Sequence, residues 1–251
     1  MKRKYSTALV ASLLTLAIFL LCNPVNAAHP LVTDDTATQG FRRQQVEFNS
    51  DRTSSGDQCS LSATATYSYG AHDDLDIYVN LPVTRSAAAT GINDIGIGAK
   101  WLWFSREHVT VALKPEMLLP TGNKNNGLGT GNVGAAFTGI VSYASSKFAV
   151  RGNAGMSAYR YAIAEVRNNS RSQIWRTSVA VAYHVTPTLS LVADTGMARN
   201  PQTASSSKPA FVILGLVYMP TKDLDLDLGV RRGLQSAEAE RQFGVGYTLR
   251  F

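Results

Sequence analysis

Polar and apolar residues alternate through most of this chain. Leu61, Ala63, Ala65, Tyr67 and Tyr69 interleave with Ser62, Thr64, Thr66 and Ser68. Ile95, Ile97, Ala99, Trp101 and Trp103 interleave with Gly96, Gly98 and Lys100, and Leu224, Leu226, Leu228 and Val230 with Asp225, Asp227, Gly229 and Arg231. A period of two gives the two faces of a strand different surroundings. Read along the chain, it predicts about 12 strands, at 42–50, 60–70, 74–83, 93–104, 107–119, 132–143, 147–158, 173–184, 188–198, 209–219, 222–231 and 241–251. The run from Phe211 to Tyr218 is apolar on both faces and leaves its register open. No helical period holds after residue 27, and no second domain or low-complexity linker is visible.

The connections between these strands alternate in length. Stretches 51–59, 84–92, 120–131, 159–172, 199–208 and 232–240 read as long, polar, Gly- and Asn-rich loops. Between them lie tight turns at 70–73, 105–106, 144–146, 185–187 and 220–221. Sorting by parity is the habit of transmembrane barrels, which have long outer loops and short periplasmic turns. Aromatics follow the same parity. Tyr69, Trp103, Tyr143, Tyr183, Tyr218 and Phe251 fall near the short-turn end of every second strand, on the apolar face, where an interfacial girdle belongs. Tyr159 and Trp175 suit the opposite girdle. The last strand, 241–251, ends on Phe251, and in this it resembles the closing strands that the barrel-assembly machinery reads in bacterial outer-membrane proteins.

Composition narrows the picture. A basic start at Lys2, Arg3 and Lys4, an apolar run from Thr7 to Leu21, and small residues at Val25 and Ala27 describe a cleaved export signal over 1–27. Its removal takes the net charge from +6 to +3, too weak and dispersed for a nucleic-acid surface. Cys59 is then the only cysteine, so no disulfide forms within the mature chain. Residues 28–41 read as a periplasmic segment ahead of a barrel at 42–251.

The segment His29-Pro-Leu-Val-Thr-Asp-Asp-Thr-Ala-Thr-Gln-Gly40 resembles the opening of the meta-pathway phenol-degradation family of outer-membrane β-barrel transporters. Asn93-Asp-Ile-Gly-Ile-Gly-Ala-Lys-Trp101 and Leu113-Lys-Pro-Glu-Met-Leu-Leu-Pro-Thr-Gly122 resemble it further, with Ala37 standing where Gly is expected. The resemblance implies a bacterial outer-membrane channel for passive uptake of small solutes, aromatic or apolar ones among them.

Candidate chemistry is sparse. The phase of the strands turns Asp74, Asp76, Lys100, Lys114, Glu116, Arg151, Arg176, Asp194, Asp225, Asp227 and Arg250 into the lumen. Charges of both signs in a narrow barrel are expected to pair with one another while lining the path, because an unpaired charge is costly where water is scarce. Symmetric closure of the loop 84–92 sets Asp76 opposite Lys100, and the two are expected to form a cross-strand lumenal ion pair. Glycines 96, 98, 134, 244 and 246 leave room between them. His29 with Asp34 and Asp35 reads as a turn or plug contact rather than a metal site. His72, His108 and His184 fall at or beside short turns, away from any outer rim where a lipid- or peptide-hydrolysing enzyme meets its substrate. No catalytic residue, metal or cofactor is expected. The partners are outer-membrane lipid, the assembly machinery and a small solute, with no nucleic acid. The competing reading is a structural or adhesin-like barrel whose lumen is closed.

Overall fold

The computed structural model describes residues 29–251, so the export signal predicted at 1–27 lies outside the described residues. Thirteen strands form one antiparallel sheet: β1 Gln44–Ser55, β2 Gln58–His72, β3 Leu75–Ser86, β4 Thr90–Ile92, β5 Ile95–Arg106, β6 Val109–Leu119, β7 Gly134–Ala144, β8 Phe148–Ala158, β9 Gln173–Thr186, β10 Leu189–Ala198, β11 Ala210–Thr221, β12 Leu224–Gly233 and β13 Arg241–Arg250. Neighbours in sequence are neighbours in the sheet, and β13 returns to pair with β1 from Gln45↔Arg250 to Ser54↔Arg241. The sheet is therefore a closed 12-strand barrel, with β4 as a short extra strand that continues the line of β5 along β3. Closure leaves no unpaired edge, the condition for strands to stand in lipid. Among the described residues no helix is long and apolar enough to cross a membrane.

Apolar side chains face out all round the wall. Ile77, Leu81, Ile97, Phe137, Val179, Leu214, Val230 and Phe243 are exposed, while Asp76, Ile140, Asp194, Ile213 and Asp225, on the opposite phase, are buried in the lumen. This is an inside-out arrangement relative to a water-soluble fold, and it follows from lipid outside the strands and packed side chains within. The register left open between Phe211 and Tyr218 is fixed by pairing Ile213 with Arg231 and with Asp194, which turns Phe211, Ile213, Val217 and Met219 inward.

The five expected short turns are present, at 73–74, 107–108, 145–147, 187–188 and 222–223, each one to three residues later than the sequence puts it. Two of the six predicted long loops do not exist. Stretch 51–59 is a continuation of β1 and β2 closed by Gly56-Asp57, with Gly56 at φ +54°, and 84–92 is mostly β3 and β4. Polar residues there still alternate in space, but with hydroxyls and charges on both faces the alternation of hydrophobicity vanishes. Helical structure appears in two of the remaining loops, as a 3-10 turn at Lys124–Asn126 and a short helix, α1, at Ala164–Asn169. Asp94 folds the first of these loops by accepting from Gly122 N (3.0 Å), Thr130 N (2.8 Å) and Thr130 Oγ1 (2.9 Å). Arg171 joins two others, donating to the carbonyls of Asn200 (2.8 Å) and Thr203 (3.1 Å).

Candidate functional site

The lumen is crossed by residues 29–39 of the chain itself. This corrects the expectation of a periplasmic segment. The backbone turns into the barrel beside Gly70, whose N–H donates to Arg43 O at 2.9 Å. A β-carbon on Gly70 would lie 1.8 Å from Gly40 O, so only glycine admits the segment there. Thr38 Oγ1 donates to Asp73 O (2.7 Å) and Gln39 N to both oxygens of Asp76 (3.1 Å). Farther in, Asp194 accepts from Val32 N (2.7 Å), Thr33 N (2.8 Å) and Thr33 Oγ1 (2.8 Å). At the far end His29 Nδ1 bonds Asp227, and Nε2 lies 3.4 Å from Asp51. Pro30 lies against Gly215 and Gly229, where a β-carbon would come 2.6 Å and 2.5 Å from its ring. Wall glycines thus leave a hollow, and the chain's own first turn fills it. The Asp35 side chain accepts from Ala37 N at 2.9 Å. Non-glycine residues at positive φ among those described are Arg42 and Glu107, so Ala37 takes the place of Gly without strain.

The segment is charge-complementary to the wall. Asp34 lies 2.6 Å from Lys114 Nζ and 3.7 Å from Lys100 Nζ; Asp35 lies 3.5 Å from Lys100 Nζ and 3.8 Å from Arg151 Nη2. Burial opposes ionisation of Asp34, but the charges of Lys100 and Lys114 overcome it and hold the carboxyl well below the usual carboxylate range. The opposite arrangement holds at His29. Burial disfavours the charged ring, yet hydrogen bonds and charges of Asp227 and Asp51 outweigh it and push the imidazole up to about 9. An apolar contact lies between these two anchors. Leu31 packs in one buried cluster with Ala149, Ala180, Ala182, Val192, Val217 and Met219, all lumen-facing.

A closed 12-strand barrel with an apolar exterior and its own peptide across the lumen narrows the search among known proteins. The family described as "Putative MetA-pathway of phenol degradation" matches residues 34–251. The chain belongs to that family. No curated protein matches it in sequence. Among solved structures, the COG4313 outer membrane channel from Pseudomonas putida F1 aligns with a TM-score of 0.70 at 13% identity, covering 86% of this chain and 98% of the channel. The NanC porin aligns at 0.59 and 12% identity, covering 82% and 98%. The CymD monoaromatic hydrocarbon channel aligns at 0.50 and 10% identity, covering 85% and 90%. At such identities these likenesses establish the fold, an outer-membrane barrel of the channel and porin kind.

In this phenol-degradation family member, ten of the eleven predicted lumenal residues stand on the inward phase: Asp76, Lys100, Lys114, Glu116, Arg151, Arg176, Asp194, Asp225, Asp227 and Arg250. Asp74 does not. It sits in the two-residue turn after β2, exposed, because the strand ends two residues later than expected. Asp76 is paired with Lys100 in the ladder, as the loop symmetry predicts, but each side chain finds its partner in the inserted segment. Of the wall charges, Arg250 and Asp225 pair directly, Nη2 to Oδ2 at 2.7 Å. Arg176 donates to Ser157 Oγ (3.1 Å) and Tyr159 OH (3.4 Å) above the segment.

The six girdle aromatics all lie at the short-turn end. Trp103 falls in a bulge between Leu102 and Phe104, where Phe104 pairs with Val111 and resumes the outward phase. Tyr143 stacks on Phe148 with ring centroids 5.9 Å apart. Of the opposite-end pair, Tyr159 stacks on Tyr161, and Trp175 carries Lys208 Nζ 5.7 Å from its ring centroid.

Several lumenal groups escape the sequence reading. Glu47 accepts from Gln45 Nε2 (2.6 Å), Asn80 donates to Glu116 (2.7 Å), and Tyr78 lies buried under Lys114 Nζ at 4.8 Å from its ring centroid. Following the period through Gln45, Glu47, Asn49 and Asp51 was the available signal, and the supposed loop from 51 hid its end. A separate hollow of 640 Å³ lies on the lipid-facing side, lined by Leu75, Ala99, Trp101, Leu113, Pro115 and Phe137. There the β5–β6 ladder lapses between Gly98↔Glu116 and Trp101↔Leu113, since Pro115 brings no N–H.

Proposed function

We propose that this chain is a bacterial outer-membrane channel for passive uptake of small solutes, aromatic or apolar ones among them, and that the segment 29–39 sets its resting, closed condition. One observation carries this reading. What crosses the lumen is a peptide that enters from one end and is held to the strands by hydrogen bonds and ion pairs with their side chains. Such a closure can be relieved without breaking a single strand pair. Membership of the phenol-degradation family and the CymD likeness support aromatic solutes for this chain. The His–Ser contact at His184 and Ser190, 2.9 Å, lies beside a short turn and so gives no support to a hydrolase at the outer rim. Liposome swelling with phenol-sized solutes, run beside single-channel recording, tests the proposal. Uptake by the wild type, raised when residues 29–39 are deleted, is the expected result. Absence of swelling and conductance in both forms favours the closed structural barrel instead.

A further inference from the structure

The inserted segment offers the lumen two kinds of group, a branched alkyl side chain at Leu31 and carboxylates at Asp34 and Asp35. The wall has a matching place for each, and the two places touch. Arg151 is paired across the ladder with Ala180, and the next inward pair on the same two strands is Ala149↔Ala182. The apolar cluster that holds Leu31 therefore begins beside the guanidinium that faces Asp35. Among the described residues, every ion pair made by Lys100, Lys114 and Arg151 is with Asp34 or Asp35, not with a wall carboxylate. Of the nearby wall acids, Glu116 is engaged by Asn80 and Glu47 by Gln45, while Asp76, across the ladder from Lys100, accepts from the segment's own Gln39 N. The ion pairs of three cations and the filling of an adjoining apolar hollow thus both come from the segment. When it moves, they become a desolvated anion site with an apolar floor, the arrangement that favours a charge-assisted pair.

We infer that the lumen binds a small monocarboxylate with an apolar body, its carboxylate on Lys100, Lys114 and Arg151 and its body on Ala149, Ala180, Val192 and Met219, in competition with Asp34, Asp35 and Leu31. The inference rests on the channel reading for its purpose, but the binding stands or falls separately. The segment is an internal occupant of the solute's site, and each of its anchors reports one half of that solute.

Titration calorimetry on the detergent-folded, full-length barrel tests this with three probes: benzoate, benzyl alcohol as a neutral counterpart, and acetate as a carboxylate without the body. Replacing Asp34 and Asp35 together by Asn frees the cations, and benzoate is expected to bind about tenfold tighter while benzyl alcohol is unchanged. Leu31→Ala is expected to strengthen benzoate and benzyl alcohol alike and to leave acetate unaffected. Adding Lys114→Met to the Asp34/Asp35 variant should remove the gain for benzoate. Heat-modifiable migration checks that each variant is folded, and amide exchange at Val32 and Thr33 reports whether the segment has loosened. Unchanged benzoate affinity in a variant whose amides exchange faster overturns the inference, as does acetate binding as tightly as benzoate. If benzoate binds as expected yet no solute swells liposomes, the channel reading fails and the site remains.

Discussion

The two walls of the lumen are built differently. Strands β1, β3, β5, β6 and β12 turn acids, amides and lysines inward, among them Glu47, Asp51, Asp76, Lys100, Lys114, Asp225 and Asp227. Strands β9–β11 turn in Ile174, Ala180, Ala182, Val192, Phe211, Ile213, Val217 and Met219, all buried. Both walls hold the same peptide, but by different physics. The charged wall grips through pairs whose value depends on the protonation of each partner; the apolar wall grips by excluding water, which no pH changes. Arg176 and Asp194 are the charged exceptions in the apolar wall, and Asp194, a buried carboxylate, ties down the main chain of Val32 and Thr33. The difference teaches that the closure combines several polar anchors on the charged side, one carboxylate anchor on the apolar side and an apolar contact between, so its strength divides into separable parts.

The comparison yields outcomes of decreasing size. Asp194→Ala removes the acceptor for three donors at once and is expected to weaken the segment's hold by on the order of 4 kcal/mol. Single-channel recording should then show openings far more often than in the wild type. Next comes pH. The folded-state pKa of His29 is raised, to about 9 from 6.5, so its contribution is full below pH 6.5 and is lost as pH rises through about 9. That contribution is on the order of 2–3 kcal/mol, and open probability should climb above pH 8. His29→Gln should flatten this rise; a wild type equally closed at pH 6 and pH 10 contradicts the charged anchor. Leu31→Ala should cost about 2 kcal/mol, measured as faster exchange of the Val32 amide, and to the same extent at pH 6 and pH 8. The smallest effect belongs to Asp223→Asn, which breaks an exposed contact with Arg43 at 4.0 Å and should cost under about 0.5 kcal/mol. A large effect there would mean that the closure is governed outside the lumen.

The fold was legible because a barrel wall has only two faces and the sequence alternates between them. Twelve strands in closed order, and the short turns, follow from that alone. Legibility failed where the faces stopped differing. In Asp51–Ser55 and at Gln58 and Cys59 the two sides do not differ in hydrophobicity, and these strand ends read as loop. Between Phe211 and Tyr218 both sides are apolar, which looked like ambiguity and was the mark of the apolar lumen wall. The candidate site was half legible. Period two gave Lys100, Lys114, Arg151 and Asp194 their direction but not their partner, since the partner is a segment without period, more than 60 residues away from each of them in sequence. The reading of His29, Asp34 and Asp35 as a turn or plug contact was one hint; charge balance was another, and it is met by the segment where it had been assigned to the wall.

The inserted segment also has a mechanical consequence. It is fastened at β12 through Asp227, at β10 through Asp194, at β5 and β6 through Lys100 and Lys114, at β8 through Arg151 and at β3 through Asp76. Those points lie around most of the circumference. A thin-walled tube of this size flattens easily, because shear between neighbouring strands resists bending of the cross-section only weakly. A strut tied to six points on the inner surface resists that flattening. Withdrawing the strut therefore frees the wall as well as clearing the bore, and the width available to a solute is not the one seen with the strut in place.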